Sequence, residues 1–212
     1  MPRRNRIFIE GLSAHIIVRG HNRAAIFEEE GDYVVWLSML RLASTREGVD
    51  VHAFTLMTTH VHLLATPRHA DALPRAMKDV NGAYVRYYNH RRDRIGTLWN
   101  GRYRAILIDT ERYWLTCLRY IEQNPVRAGM VKRPEEYRWS SYRAHALGEQ
   151  IGGLAPHAVY TALGNTPGER QSAYKAICDV PVTRSELTLQ RQPIRLRGAG
   201  GRVLEPASAT VA

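Results

Sequence analysis

The sequence has few cysteines and no long apolar run. Its 212 residues include only two cysteines, Cys117 and Cys178, with no Cys-x-x-Cys spacing. This excludes a disulfide framework and a zinc knuckle, and it fits a reducing cytosol. No apolar stretch approaches the roughly 20 residues of a membrane span. The apolar stretch after the basic residues 1–6 is interrupted by Glu10, which argues against a signal peptide. These absences predict a cytoplasmic protein with no membrane partner.

Acidic residues are also scarce. The chain has 20 Asp and Glu against 30 Lys and Arg, which gives a net charge of +10 and an isoelectric point near 10. Between Arg86 and Arg133 there are eleven basic residues and four acidic ones. Most of the bases are arginines, whose planar guanidinium suits bidentate contacts to phosphate. The charge balance favours a polyanionic partner, most simply a nucleic acid.

Apolar periodicity divides most of the chain into strands and helices. Four segments follow the pattern of strands: residues 13–19, 51–57, 60–66 and 102–108. Three segments carry apolar residues at helical spacing and begin at Asp32, near Pro74, and at Asp109 or Thr110. The order β-α-β-β-α-β-α predicts an α+β fold, a ferredoxin-like or RRM-like palm with an antiparallel sheet plus an extra helix. We expect helices on one face of this sheet and no cover on the other.

The chain is expected to have three parts. Residues 1–150 form the predicted ferredoxin-like domain, in which residues 139–146 supply a further short helix. Residues 151–180 are predicted to be a helical C-terminal extension. Residues 181–212 are dominated by Arg, Pro, Gly and small residues, which predicts a flexible basic tail.

Two histidines flank one apolar residue at the start of the third predicted strand, in the run His60-Val61-His62. Strand side chains alternate, so both imidazoles share one face and Val61 lies on the other. Buried imidazoles need polar partners, because burial without them is costly. Neutral imidazole binds several divalent metals, and two such ligands leave positions for a phosphate oxygen and water. A pair of structural histidines is the alternative on this pattern alone.

Tyr120 and Asn124 lie four residues apart, so on a helix they share a face. We predict that this helix ends at Asn124, because Pro125 disfavours helical conformation in the residue before it. Tyr120 offers a hydroxyl nucleophile, and the Asn124 amide oxygen is a hard ligand of the kind that Mg²⁺ and Mn²⁺ prefer. Most of the eleven tyrosines must pack, and an asparagine can simply close a helix. Both structural alternatives therefore stay open.

Four motifs occur in one order along the chain. They are His60-Val61-His62-Leu63-Leu64, Gly-Thr-Leu-Trp-Asn-Gly-Arg-Tyr at 96–103, Arg-Tyr-Ile-Glu-Gln-Asn-Pro-Val-Arg-Ala-Gly at 119–129, and Trp-Ser-Ser-Tyr at 139–142. Across about residues 5–150 the chain resembles the REP-associated tyrosine transposases, which are IS200-like single-tyrosine HUH (His-hydrophobe-His) transposases. Thr58-Thr59 departs from the family, which often carries Pro and Asn or Glu before the first histidine.

The resemblance implies a palm domain that uses a divalent cation, Mg²⁺ or Mn²⁺, to cut and join single-stranded DNA. By position, His60 and His62 would be metal ligands, Asn124 a third ligand, and Tyr120 the nucleophile. The implied enzyme is a transposase, an endonuclease and strand transferase that forms a 5′-phosphotyrosine. Hairpin-containing repeats are the implied substrate.

Five further residues are predicted to contact DNA: Arg102, Arg104 and Arg119 at phosphates, and Trp99 and Tyr103 by stacking on bases. The REP-associated group favours a monomer, although the wider family includes dimers with shared active sites. Two other functions stay open. A non-catalytic ferredoxin-like protein would bind single strands without any response to EDTA. A metal nuclease that uses water would still cleave after loss of Tyr120.

Overall fold

The computed structural model describes residues 8–180. Its strands and helices are β1 (Ala14–Arg19), α1 (Glu30–Glu47), β2 (Val49–Met57), β3 (His60–Pro67), α2 (Ala72–Arg91), β4 (Arg104–Leu107), α3 (Glu111–Glu122), α4 (Asn124–Arg127), α5 (Tyr142–Leu147), α6 (Ala158–Thr161) and α7 (Pro167–Asp179). The tail predicted for residues 181–212 lies outside the described residues. Within residues 8–180, no helix has both the length and the apolar character needed to cross a lipid bilayer.

The strands form one antiparallel sheet in the order β2-β3-β1-β4. β2 and β3 are joined by Thr58-Thr59 and pair along almost their whole length. β1 lies between β3 and β4 and runs antiparallel to both. This is the strand arrangement of a ferredoxin-like fold. The predicted α+β class, with an antiparallel sheet and an extra helix, is confirmed.

The larger core lies between one face of the sheet and the helices α1 and α2. Ile16 of β1 and Leu63 of β3 point to this face and are almost inaccessible to solvent. They pack in one cluster with Trp36 of α1 and Tyr84 of α2. The Tyr84 hydroxyl donates a hydrogen bond of 2.5 Å to the carbonyl of Ile26, so its polar end is satisfied inside the core.

The expectation that the second face would be left uncovered is wrong. Leu64 of β3 packs there against Leu118 of α3, in a second cluster that includes Tyr174 of α7. Helical periodicity predicts that a helix has an apolar side but not which sheet face that side will cover. The cover is partial, because Arg19 of β1 and Arg104 of β4 are exposed.

Several element starts differ from the sequence expectation by one or two residues, and two of these differences have a clear local reason. Helix α1 begins at Glu30, and Asp32 lies at its third position, where its carboxylate accepts the backbone N–H groups of Glu28 and Glu29. This is a capping box, in which the acidic residue at the third position satisfies N–H groups ahead of the helix. Strand β4 begins at Arg104, two residues later than predicted. Gly101 has a φ of 73°, so the chain turns just before the strand.

The C-terminal part of the described chain is helical and packs on α3. The short helix predicted at 139–146 is α5, and residues 151–180 contain α6 and α7. The hydroxyl of Thr166 caps α7 by accepting the backbone N–H of Glu169. Tyr174 and Cys178 of α7 are buried in the second cluster. A domain boundary at residue 150 stays a prediction.

Candidate active site

The two histidines of β3 lie on the sheet face that α3 partly covers. In the sheet register His62 pairs with Ile17 of β1, and His60 pairs with Arg19. Directly paired residues point to the same side of an antiparallel sheet, so His60, His62 and Arg19 share this face. Ile17 also pairs with Arg104 of β4. The histidines therefore lie in the same two rows of the sheet as two exposed arginines.

Each of the two imidazoles is hydrogen-bonded through its Nδ1 atom. Nδ1 of His62 lies 2.8 Å from Nε2 of His15, and Nδ1 of His60 lies 3.0 Å from the hydroxyl oxygen of Thr59. The His60 and His62 ring centroids are 4.9 Å apart. With both Nδ1 atoms engaged, Nε2 is the atom of each ring that remains to bind a ligand. Thr59, which departs from the family pattern, thus supplies the contact that orients His60.

Burial keeps the two imidazoles neutral. It lowers the pKa of His60 to about 4, and the positive charge of Arg19 acts in the same direction. Burial also holds the pKa of His62 well below its ordinary value, with neighbouring His15 and His60 adding to the effect. A protonated imidazole has no lone pair to donate, so metal binding requires the neutral form. The pair is in that form at neutral pH.

Helix α3 places Tyr120 against the histidines. Thr110 caps the start of this helix, because its hydroxyl accepts the backbone N–H of Tyr113. The apolar side of the helix is buried in the second cluster. The Tyr120 ring centroid lies 5.7 Å from that of His62 and 5.8 Å from that of His15, both in edge-on contact. The structure therefore brings together the tyrosine and the histidine pair, which are distant in sequence.

Asn124 lies in a different element from the one predicted. Helix α3 ends at Glu122, and Asn124 is the first residue of α4, in which Pro125 occupies the first turn. Proline is tolerated there because the N–H that it lacks has no partner within the helix. The Asn124 amide nitrogen donates to the carbonyl of Tyr120 at 2.8 Å. Its Oδ1 atom remains for another partner, beside the tyrosine.

Three residues next to the site were missed in the sequence. His15 is fully buried and contacts both the His62 and Tyr120 rings. The guanidinium carbon of Arg127 lies 4.7 Å from the Tyr120 ring centre, a cation–π distance. Arg19 is exposed beside His60. The available signals were a histidine within an apolar strand, an arginine seven residues after Tyr120, and an arginine at the end of the same strand as His15.

The five residues predicted to contact DNA fall into two groups. Arg102 and Arg104 are exposed and Tyr103 is half-buried. Trp99 is buried, and its indole N–H donates to the carbonyl of Asn81. Arg119 is also buried, and its guanidinium donates to the carbonyls of Ile177 and Val180. Trp99 and Arg119 thus have structural partners within the protein.

The donor set fits a divalent cation that is held partly by substrate. Within residues 8–180, no group of three or more His, Cys, Asp and Glu side chains could hold a metal. A closed structural site of the zinc type is therefore not present in this part of the chain. Two neutral imidazoles and a nearby amide oxygen supply part of a coordination sphere. They leave positions for phosphate oxygens and water, which Mg²⁺ and Mn²⁺ accept.

A buried carboxylate fastens α3 to the C-terminal helices. Glu122 is fully buried next to Ile121. It accepts hydrogen bonds from the Ser141 hydroxyl, from Tyr174 of α7 at 2.6 Å, and from the His145 ring at 2.8 Å. All three donors come from beyond α4 in the chain. The network therefore fixes the end of α3, two residues after Tyr120.

We expect Glu122→Ala to lower the free energy of unfolding by about 3 kcal/mol, because it leaves several buried donors without an acceptor. Glu149→Ala is the matched control. Glu149 pairs with Arg143, and both side chains are more than 40% exposed. Its loss should change stability by less than about 1 kcal/mol. Urea denaturation measures both values. Equal losses of stability in the two variants would contradict a stabilising role for the hydrogen bonds of Glu122.

Comparison with known proteins points to one family and to this fold. Residues 8–124 match the family described as "Transposase IS200 like". A solved structure of a REP-associated tyrosine transposase bound to a REP hairpin is similar, with a TM-score of 0.58 and 18% sequence identity over 74% of this chain and 93% of that chain. A candidate transposase from Deinococcus radiodurans has a TM-score of 0.38 and 22% identity, over 64% of this chain and 98% of that one. No curated protein sequence matches the chain.

Proposed function

Because the chain belongs to the IS200-like transposase family, which its match over residues 8–124 shows, we propose that it cuts and rejoins single-stranded DNA through a tyrosine and a divalent cation. The observation that carries the proposal is the edge-on contact of Tyr120 with His62, at 5.7 Å between ring centroids. A tyrosine hydroxyl and a pair of neutral imidazoles that can bind a cation are then on one surface. That is the minimum set for metal-assisted attack on a phosphodiester.

His60 and His62 would hold the cation through Nε2, with Asn124 Oδ1 as the third protein ligand. A bound Mg²⁺ or Mn²⁺ would polarise the scissile phosphate as a Lewis acid. The Tyr120 hydroxyl oxygen attacks phosphorus and forms a 5′-phosphotyrosyl bond while the bond to the 3′ oxygen breaks. The proton leaves the tyrosine and the departing oxygen gains one, so the products are a protein–DNA ester and a free 3′-OH. A second 3′-OH can reverse the step and join strands.

Several arginines lie near this centre. Arg127 lies over the Tyr120 ring, where a guanidinium favours the developing phenolate. Arg19 and Arg104 are exposed on the same sheet face as the histidines, and Arg102 is exposed just before β4. We propose that these arginines contact the phosphates of the DNA backbone.

Several finer properties belong to the same proposal. Hairpin DNA is the favoured substrate, because the structurally similar transposase was solved bound to a REP hairpin. We place catalysis within residues 1–150 and in the cytoplasm. The tyrosine and both histidines come from one chain, which supports a monomer with a complete active site. A dimer would not be needed to assemble it.

The test is a covalent-adduct assay on the full chain. Single-stranded DNA with a hairpin is labelled at its 3′ end and incubated with the protein and Mn²⁺, and a denaturing gel follows. We expect a labelled band at the size of protein plus DNA, absent with EDTA, because a 5′-phosphotyrosine retains the 3′ fragment. Binding without any adduct would support the non-catalytic alternative. Metal-dependent cleavage without an adduct would support a nuclease that uses water.

A further inference from the structure

His15 lies in the middle of β1 and has no solvent exposure. Its partners across the sheet are Leu64 of β3 and Ile106 of β4, both buried and apolar. A polar ring among aliphatic neighbours loses its hydration, and a hydrogen bond offsets part of that loss. The bond that it makes through Nε2 is to Nδ1 of His62, at 2.8 Å. An apolar residue would fill the same place without that loss, so packing does not account for an imidazole here.

One proton is shared in the bond between the two imidazoles, and its position decides what His62 can do. If Nδ1 of His62 carries the proton and donates it, Nε2 of His62 has a free lone pair and can bind a cation. If Nε2 of His15 carries the proton, the other ring nitrogen of His62 is protonated and must lose that proton before it can bind a metal. His62 is therefore in the tautomer that can bind a metal only when Nε2 of His15 is unprotonated and accepts the hydrogen bond.

We propose that His15 is a positioning residue, whose Nε2 accepts the Nδ1 proton of His62 and so keeps Nε2 of His62 aimed at the cation site as an acceptor. The inference rests on the proposed function, because it presumes a cation between the histidines. His15 also touches the Tyr120 ring edge-on. It therefore fixes the orientation of the ligand and limits the movement of the nucleophile from one buried position. Metal-binding histidines ordinarily have such a partner on the second ring nitrogen.

The test begins with Mn²⁺ binding by the DNA-free protein, followed by electron paramagnetic resonance, so the readout does not depend on catalysis. His15→Phe keeps a ring but removes the acceptor, and we expect affinity for Mn²⁺ to fall about 10- to 100-fold. His15→Gln retains an acceptor oxygen and should recover most of the affinity. His52→Phe is the control, because His52 is equally buried but bonds to Thr66 and to the carbonyl of Ala155. It should bind Mn²⁺ like the wild type.

The proton can also be located directly, with no substitution. In ¹⁵N-detected NMR of the metal-free wild type, we expect His62 to carry its proton on Nδ1, the less common tautomer of free histidine. A proton on Nε2 would overturn the inference, as would a His15→Phe protein that binds Mn²⁺ as tightly as His52→Phe. One further variant, His62→Phe, separates a failure of the proposed function from a failure of this inference. If His62→Phe binds Mn²⁺ as the wild type does, the metal site itself is wrong.

Discussion

Tyr120→Phe should form no covalent adduct with DNA, a loss of at least about 10⁴-fold relative to wild type, because the substitution removes the attacking oxygen and nothing else. The ring contacts to His15 and His62 and the cation–π contact with Arg127 use the ring and not the hydroxyl. The fold and the DNA surface should therefore remain. We expect single-stranded DNA to bind the variant with wild-type affinity at matched salt concentration.

The control for this substitution is Tyr113→Phe. Tyr113 lies on the same helix, two turns before Tyr120, and is half-buried. It should form the adduct at the wild-type rate. Trypsin separates the two tyrosines, since the peptide Tyr-Ile-Glu-Gln-Asn-Pro-Val-Arg at 120–127 contains only Tyr120. Mass spectrometry should find the nucleotide mass on this peptide. An adduct that survives in Tyr120→Phe, or one that maps to another peptide, would remove Tyr120 from its proposed role.

The elements that carry the site could be predicted because their signals are local. A period of two places His60 and His62 on one strand face, and the structure shows them on one face. A spacing of four and an apolar stripe place Tyr120 on an amphipathic helix. The antiparallel pairing of β2 and β3 follows from the two-residue connection between them. Each of these features depends on neighbours that are close in sequence.

The rest of the site depends on pairings that the sequence does not specify. His15 and Arg19 reach the site only because β1 is inserted between β3 and β4, with His62 opposite Ile17 and His60 opposite Arg19. Nothing local to β1 indicates that register. Arg127 lies over Tyr120 because helix α3 ends at Glu122 and the chain continues as a new helix, α4. Pro125, directly after Asn124, is compatible both with the end of a helix and with the first turn of a new one.

The hydrogen-bond network around the buried Glu122 also depends on residues that are distant in sequence. Its donors Ser141, His145 and Tyr174 belong to segments that begin about 20 to 50 residues later. Periodicity predicted that some of these segments are helical, but it could not predict that they pack on α3, on the second face of the sheet. The consequence for function is that the helix carrying the nucleophile is fixed near its C-terminal end by buried hydrogen bonds.

His62→Phe should weaken Mn²⁺ binding by at least about 100-fold and slow adduct formation on the order of 10³-fold, because a ligand nitrogen is lost while a ring of similar size remains. The edge-on packing with Tyr120 needs a ring and not a nitrogen. The loss should therefore appear in metal affinity before it appears in stability. Titration with Mn²⁺ followed by the signal of the free ion measures the affinity, and the adduct assay measures the rate.

Excess cation separates a weakened site from a misplaced nucleophile. If the histidine acts as a ligand, high Mn²⁺ should restore part of the adduct rate in His62→Phe, because His60 and the Asn124 amide still offer donors. The same addition should do nothing for Tyr120→Phe, which lacks the attacking oxygen at any cation concentration. His52→Phe should behave as wild type in both assays. An undiminished adduct rate in His62→Phe at low Mn²⁺ would show that the cation is held elsewhere, and Tyr120 would then need a different activating group.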